Sequence, residues 1–393
     1  MAAMSMQLGL ELARLTAGLD RLYRDVPRTQ SFLDREGLIP VAMAQVEPYA
    51  LANYGEARDR LEALAARIPG EAESELRRAY LSEMVDSLLA LLDTFEGRQI
   101  SYAERLRRQM RIDTQLVSDE ILDGYRRTIR ESLDELGYRG GSLAEDVGRF
   151  EADTLVPADQ VLATMGEVTR EARRRTSEMM YLMNDEWLEP VRLDDVPFTA
   201  YCDFPERKMR LNLAMPFTRS AIKHLACHEA FPGHLVHMAL RQRYVAEGKM
   251  PLDGAQVVTS SASSALFEGI ADNGWFFLDW INTPEDVVGM TLERLRAALR
   301  CNAAWMLHAE GRSHEEVAPI IAEAGYQDLE TAKNRIAFLR HGLRAPFVYG
   351  YWCGDTSTHA VWEKVPKERR TEFWAYLYGN MHTPSTLRDF WTV

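Results

Sequence analysis

Apolar residues recur at three- and four-residue steps along much of the chain, a spacing that predicts amphipathic α-helices. The pattern is clearest in four segments of the amino-terminal half: 8–22, 41–68, 76–95 and 121–136. Glycines and prolines separate these segments, as expected between discrete helices. The arginine-rich run 170–175 is typical of the solvated face of a further long helix. The sequence therefore predicts a mainly α-helical protein.

One segment, 196–215, has a different pattern. Residues 198–202 and 209–213 are rich in aromatic and aliphatic side chains, and Pro205 lies in the polar stretch between them, so the segment predicts a β-hairpin. A strand here is either a small structural ribbon or an edge that binds an extended peptide through backbone hydrogen bonds. We place a domain boundary near residue 190. An amino-terminal helical region (1–190) is expected to roof a cleft over a metal-bearing region (191–393) in a bilobed fold.

The candidate chemistry is concentrated directly after the predicted hairpin. His228, Glu229 and His234 lie within seven residues in an apolar helical context. Imidazole nitrogens bind zinc, and a carboxylate next to one ligand can accept a proton from metal-bound water without itself binding the metal. This grouping indicates a metal-dependent hydrolase with Glu229 as the general base.

The six-residue separation of the two histidines is unusual. In an unbroken helix, six residues rotate the second side chain about 120° from the first, so both could not face one ion. Pro232 and Gly233 lie between them, and both residues favour a break in regular helix. We therefore expect a bulge that turns His234 back toward His228. The alternative ligand pair is His224 with His228, which are one regular helical turn apart.

A third ligand is expected from a helical segment 34 residues after His234. Glu268 is the candidate, and Asp272 follows it by one helical turn, so the two side chains share a face. Asp272 could accept a hydrogen bond from the far nitrogen of a ligating histidine and fix its tautomer. Glu268 could equally be an ordinary helix residue, since single glutamates are common on helices.

The segment 228–234 reads HEAFPGH and resembles the HExxPGH motif of bacterial proteins with the domain of unknown function 885. The likeness covers roughly the second half of the chain. It implies a zincin-like helical metallopeptidase in which His228, His234 and Glu268 bind zinc. The chain is also distantly similar to thimet-type oligopeptidases and carboxypeptidase Taq, because residues 345–352 resemble the tyrosine- and glycine-rich turn of the thimet type.

That second likeness implies a tyrosine that stabilises the oxyanion, and Tyr349 and Tyr351 are both candidates. One such donor is worth on the order of 3 kcal/mol of the activation barrier. Arg340 and Arg344 could bind the terminal carboxylate of a substrate, and His359 is a further candidate for substrate binding. An aromatic cluster of this kind is more often part of a core than of a catalytic site.

Composition limits the possible partners and compartment. The net charge of −13, from 59 acidic and 46 basic residues, argues against nucleic acid and anionic membranes as partners. Four cysteines without scaffold or zinc-ribbon spacing, and an amino terminus without a basic start and long apolar run, favour a cytoplasmic protein. A homodimer is compatible with the sequence.

These observations favour a zinc-dependent metallopeptidase that acts on a peptide or another amide. One alternative keeps the metal but changes the chemistry, to a small amide, an ester or a biosynthetic intermediate. Two histidines and one carboxylate also bind iron in non-haem enzymes, so iron or another divalent metal is an alternative to zinc. A non-catalytic helical scaffold with a vestigial site is the alternative from another class of protein.

Overall fold

The fold is described from a computed structural model that covers residues 2–26, 32–183, 185–193, 196 and 198–392. It is mainly α-helical with two small sheets, which confirms the fold class expected from the sequence. Residue 197, within the segment predicted as a hairpin, lies outside the described residues.

The α-helices are numbered here in chain order. They are α1 (Ala2–Asp25), α2 (Phe32–Glu36), α3 (Tyr54–Glu71), α4 (Glu75–Phe95), α5 (Tyr102–Gln109), α6 (Asp119–Glu135), α7 (Leu143–Thr154), α8 (Val161–Met179), α9 (Arg219–Leu225), α10 (His234–Ala246), α11 (Ser264–Asp272), α12 (Gly274–Phe277), α13 (Pro284–His308), α14 (His314–Ala324), α15 (Leu329–Ala337), α16 (Val348–Trp362), α17 (Arg370–Gly379) and α18 (Pro384–Phe390). Short 3₁₀ segments occur at Leu252–Ala255, Phe338–Arg340 and Lys367–Arg369, and a π-helical segment occurs at Ala226–Ala230.

Three of the four predicted helical segments correspond to α1, α4 and α6, and the arginine run 170–175 lies within α8. The fourth prediction, 41–68, is wrong over its first part. That part contains the short strand β1 (Val41–Ala42) and irregular backbone up to α3. Pro48 interrupts helical hydrogen bonding, and the Asn53 side chain accepts a bond from the Glu56 amide at 3.0 Å, which caps α3.

The predicted hairpin is present as β3 (Ala200–Asp203) and β4 (Lys208–Asn212), which pair antiparallel with Tyr201 opposite Arg210. A further strand, β2 (Glu189–Leu193), pairs with β4 in parallel, so the order in this sheet is β2-β4-β3. Strand β3 therefore lies at an edge of the sheet. The second sheet consists of β1 paired with β5 (Gln256–Val257).

The chain forms two compact units, each assembled from separate segments. The first contains residues 1–113, 237–269 and 353–393, and the second contains 114–236 and 270–352. The boundaries near residues 236, 269 and 352 fall inside the continuous helices α10, α11 and α16. The functional division near residue 190 that the sequence suggests stays a prediction.

Each unit has its own apolar core and its own buried polar bonds. In the first unit, Arg77 donates from Nη2 to both carboxylate oxygens of Asp253 at 2.7 and 2.8 Å. In the second unit, the long helix α13 packs against α6, and Asn302 on α13 binds the backbone of Val117 in both directions. These bonds satisfy groups that would be costly to bury alone.

Candidate metal centre

The helix that carries the histidine motif widens at the motif itself. After α9, residues Ala226–Ala230 form a π-helical turn, in which the Phe231 amide donates to the Ala226 carbonyl at 3.1 Å. The Gly233 amide then reaches back to the Cys227 carbonyl at 2.9 Å, and α10 begins at His234. Such π-bulges insert an extra residue into a helix and are frequent at functional sites. The predicted bulge between the two histidines is confirmed.

The bulge brings the two imidazoles together. The rings of His228 and His234 have centroids 4.6 Å apart and are nearly perpendicular. Gly233 makes this close turn possible, because a Cβ atom at this position would overlap the carbonyl oxygen of His228. The Pro-Gly pair thus has a steric reason to lie at this point of the motif.

Glu268 on α11 completes a group with the two histidines. One donor atom from each of His228, His234 and Glu268 lies within 4.8 Å of the other two, and the three residues are 6–7% exposed. Ligand atoms around a tetrahedral zinc ion are about 3.3 Å apart, so these side chains need to approach by no more than about 1.5 Å to share one ion. Two imidazoles and a carboxylate are a donor set that zinc accepts, and the residues present fit that ion.

Asp272 lies one helical turn after Glu268 and binds the first histidine from behind. His228 Nδ1 is 2.7 Å from Asp272 Oδ1, so Nδ1 carries the proton and Nε2 keeps its lone pair for a metal. This is the arrangement expected for Asp272 from its spacing in the sequence.

The same carboxylate oxygen also lies 3.0 Å from His224 Nε2. His224, His228 and Asp272 are thus a second group of potential metal ligands. Ligand atoms around a tetrahedral zinc ion are about 3.3 Å apart. The distances of 2.7 and 3.0 Å from Asp272 Oδ1 to the two histidine nitrogens are those of hydrogen bonds. They favour His224 as a hydrogen-bond partner of Asp272 over His224 as a metal ligand.

Glu229 is buried beside His228 at 5% exposure. Its negative charge affects the Cys202 thiol on β3. Burial is the main cause that raises the pKa of this thiol well above its ordinary value, and the charge of Glu229 is the next. Strand β3 contacts the π-helical turn directly. The edge strand of the predicted hairpin therefore lies next to the residues proposed for catalysis.

The two tyrosine candidates on α16 differ in their surroundings. Tyr349 is fully buried, and its hydroxyl donates to the Gln115 carbonyl at 2.6 Å. Tyr351 is half-buried, with the Arg300 guanidinium carbon 5.1 Å from its ring centroid. Tyr351 is thus the more accessible of the two phenols.

The residues expected to bind substrate differ in burial and in local contacts. Arg340 is exposed at the end of a 3₁₀ turn, whereas Arg344 is buried with its guanidinium carbon 5.8 Å from the Phe347 ring centroid. His359 is half-buried, and its Nε2 lies 3.3 Å from Oε1 of Glu363, four residues later. Their substrate contacts stay predictions.

Sequence reasoning missed a charged group in the second unit. Glu293 and Arg300 on α13 and Arg335 on α15 interact electrostatically, and His224 acts on the same glutamate. The helical spacing of Glu293 and Arg300, seven residues apart, was the available signal. No recognisable motif contains them.

No family model matches the chain, and no curated protein matches it. Several solved structures are similar to it, and two of them are described here. One is described as "the putative lipoprotein from Colwellia psychrerythraea", with a TM-score of 0.58 and 16% identity over 85% of this chain and 68% of that chain. The other is described as "a putative lipoprotein of unknown function from Shewanella oneidensis", with a TM-score of 0.54 and 13% identity over 86% of this chain and 72% of that chain. At these identities the likeness shows the fold alone.

In the described parts of the chain, no helix combines the length and apolar character needed to cross a bilayer.

Proposed function

We propose that this protein is a zinc-dependent hydrolase that cleaves peptide bonds, with His228, His234 and Glu268 as the metal ligands. The observation that carries the proposal is the convergence of these three buried donors on one point, with Glu229 adjacent and Asp272 fixing the His228 tautomer. Two imidazoles and a carboxylate that converge in this way are the donor set that a divalent zinc ion binds.

A bound zinc ion would polarise the substrate carbonyl and acidify a coordinated water. Glu229 accepts the proton of the attacking water and then donates it to the departing amine. Burial keeps the Glu229 carboxylate away from bulk solvent, where it would exchange this proton. Tyr351 is the donor that we assign to the developing oxyanion, because it is half-buried whereas Tyr349 is fully buried.

The position of the edge strand β3 is an argument for a peptide as the substrate. It contacts the π-helical turn that carries His228 and Glu229, and it lies at one end of its sheet. An extended chain can pair with such an edge through backbone hydrogen bonds, which do not depend on side-chain identity. This arrangement favours a peptide over a small amide or ester.

Metal content tests the ligand assignment. We expect one zinc per chain by plasma mass spectrometry in protein purified without chelators or an affinity metal. We expect its loss in His234→Ala and Glu268→Ala, because each removes one of three protein ligands. His314→Ala and Glu330→Ala, on α14 and α15, are the matched controls and should keep the metal.

Iron in place of zinc would favour oxygen chemistry. Absence of metal from the natural protein would favour the non-catalytic scaffold.

Turnover tests the role of Glu229. Glu229→Gln keeps the shape of the side chain but cannot accept a proton, so we expect zinc content to be retained and peptide cleavage to fall at least 100-fold. The measurement is hydrolysis of a quenched fluorescent peptide library at matched zinc occupancy. A Glu229→Gln protein with full activity would refute the assignment.

The remaining expectations from the sequence belong to the same proposal. A cytoplasmic location, compatibility with a homodimer, and the absence of nucleic acid and membrane partners stay predictions. Cell fractionation and light scattering would test them.

A further inference from the structure

One face of α13 carries an unusual set of charges. Glu293, Arg296 and Arg300 are three, four and seven residues apart, so they form one stripe along the helix. Arg335 belongs to α15, which packs against α13 in the same unit. Three guanidinium groups and one carboxylate are therefore close to one another.

Arg296 is fully engaged within the protein. Its Nη1 and Nη2 bind the two carboxylate oxygens of Glu151 at 2.7 and 3.0 Å, and its Nε donates to the Gly325 carbonyl at 3.0 Å. This bidentate geometry is strong and holds the guanidinium in place. Arg296 is thus a structural member of the stripe.

The other three members have no such partner. Among the described residues, no ion pair within 4.0 Å involves Glu293, Arg300 or Arg335, and all three side chains are half-buried. The Nε atom of Arg300 is buried without a hydrogen-bond partner. Two guanidinium groups therefore face one carboxylate without direct pairing, which leaves an excess of positive charge.

The electrostatic effects agree with this geometry. Burial, together with the charges of Arg296 and Arg300 and against that of Glu293, lowers the pKa of Arg335 to about 10. The pKa of Glu293 lies below its ordinary value. Burial acts to raise it, but the charges of Arg335, His224, Arg296 and Arg300 together lower it by more. The cluster would be relieved by an additional negative charge.

The cluster is also close to the candidate metal centre. Helix α13 packs against α9, which carries His224, and His224 binds Asp272, the residue that supports His228. On its other side, the Arg300 guanidinium lies over Tyr351. Arg300 thus lies beside the phenol that we assign to the oxyanion.

We propose that Arg300 and Arg335, in place of Arg340 and Arg344, bind a carboxylate of the substrate, and that this carboxylate is the free carboxyl terminus of the peptide. The planar fork of arginine binds carboxylates with two parallel hydrogen bonds, and two forks without protein partners provide enough donors for both oxygens. Glu293 interacts electrostatically with both cations and reduces their repulsion in the absence of substrate. The inference rests on the proposed function and makes the enzyme a carboxypeptidase.

Equilibrium binding to Glu229→Gln protein tests the inference without turnover. The probes are dansyl-Gly-Phe-Ala with a free carboxyl terminus, the same peptide as its amide, and the amide of dansyl-Gly-Phe-Asp, followed by fluorescence anisotropy. We expect the free acid to bind at least tenfold more tightly than the alanyl amide, as one hydrogen bond to a charged group gives about tenfold or more. Arg300→Gln and Arg335→Gln should each abolish most of this preference and leave binding of the alanyl amide unchanged.

Arg174→Gln on α8 is the control, since Arg174 is an exposed arginine of the same unit and should keep the preference. Binding of the aspartyl amide as tightly as the free acid would support the carboxylate site and assign its source to a side chain. Equal affinities for all three probes, no binding of any probe, or equal loss of acid and amide binding in the variants would overturn the inference. Zinc measured on the same protein separates the hypotheses: zinc without the preference contradicts only the carboxylate site, and the preference without zinc contradicts only the hydrolase.

Discussion

A single carboxylate oxygen, Asp272 Oδ1, lies within hydrogen-bond distance of two histidines. Its bond to His228 Nδ1 determines which ring nitrogen is available to a metal, and its bond to His224 Nε2 fixes the position of the carboxylate itself. Partners of this kind orient ligands and raise their basicity. His224, which the sequence offered as an alternative metal ligand, is better explained as the residue that holds the Asp272 carboxylate in place.

Replacing Asp272 should therefore weaken the metal site without removing a ligand. We expect Asp272→Asn to lower zinc affinity by about 10- to 100-fold, because the amide keeps the shape but loses the charge that favours the Nδ1-protonated tautomer. Competition with a chromogenic chelator measures the affinity. Asp123→Asn, an exposed position on α6, should leave it unchanged. Equal affinities for the natural protein and Asp272→Asn would show that the carboxylate does not act on the metal.

At the scale of elements, the junction between α9 and α10 decides whether the site exists. The π-helical turn and the tight Pro-Gly segment place His234 beside His228, although six residues separate them. A regular helix through the same residues would direct the two rings about 120° apart. The sequence indicated a break at this point, and the structure shows its form.

Gly233→Ala tests this junction. The new methyl group would overlap the His228 carbonyl, so the turn must open and His234 must move away from His228. We expect zinc affinity to fall at least tenfold and the free energy of unfolding to drop by about 1–3 kcal/mol, the usual cost of overpacking. Gly148→Ala is the control. Nothing lies within 4 Å of a Cβ atom at that position in α7, so this change should be neutral or stabilise the helix by up to about 1 kcal/mol. Full zinc binding by Gly233→Ala would contradict the steric role of the glycine.

Other elements show where sequence patterns suffice and where they do not. Helices α1, α4 and α6 follow directly from their apolar spacing, because each buries one stripe against neighbours. The segment 41–68 has a similar apolar content, but residues 41–42 pair with Gln256 and Val257, more than two hundred residues away. Periodicity cannot report such a distant partner. Strand β2 was also missed, because it is short and pairs in parallel with the central strand β4, a pairing that local periodicity does not report.

At the scale of the whole molecule, stability should depend on pH through buried His382. Burial is the main cause that lowers the pKa of His382 to about 4 from its ordinary 6.5. The hydrogen bond to the Tyr376 carbonyl opposes this change, and the charge of Arg241 adds to it. Between these two pH values the unfolded chain binds more protons than the folded one. Stability is therefore complete above about pH 6.5 and declines as the pH falls toward 4, by on the order of 3 kcal/mol.

Urea denaturation at intervals between pH 4 and 7 measures this dependence. His382→Gln cannot titrate, so its unfolding free energy should fall less steeply than that of the natural protein over the same range. Carboxylates contribute equally to both proteins, and the difference between the two slopes isolates the histidine. Identical slopes would show that His382 does not carry the effect.

The sequence by itself determined the helical class, the hairpin before the motif and the identity of the donors, because these depend on local periodicity and on side-chain chemistry. Spacing alone also placed Glu268 and Asp272 on one helical face. Only the tertiary structure decided that Glu268 reaches the two histidines and that His224 binds Asp272. It also decided that Arg300 lies over Tyr351 and that, among the described residues, Arg300 and Arg335 have no ion-pair partner. Contacts between residues distant in the chain depend on how whole helices pack, and a one-dimensional pattern does not contain that information.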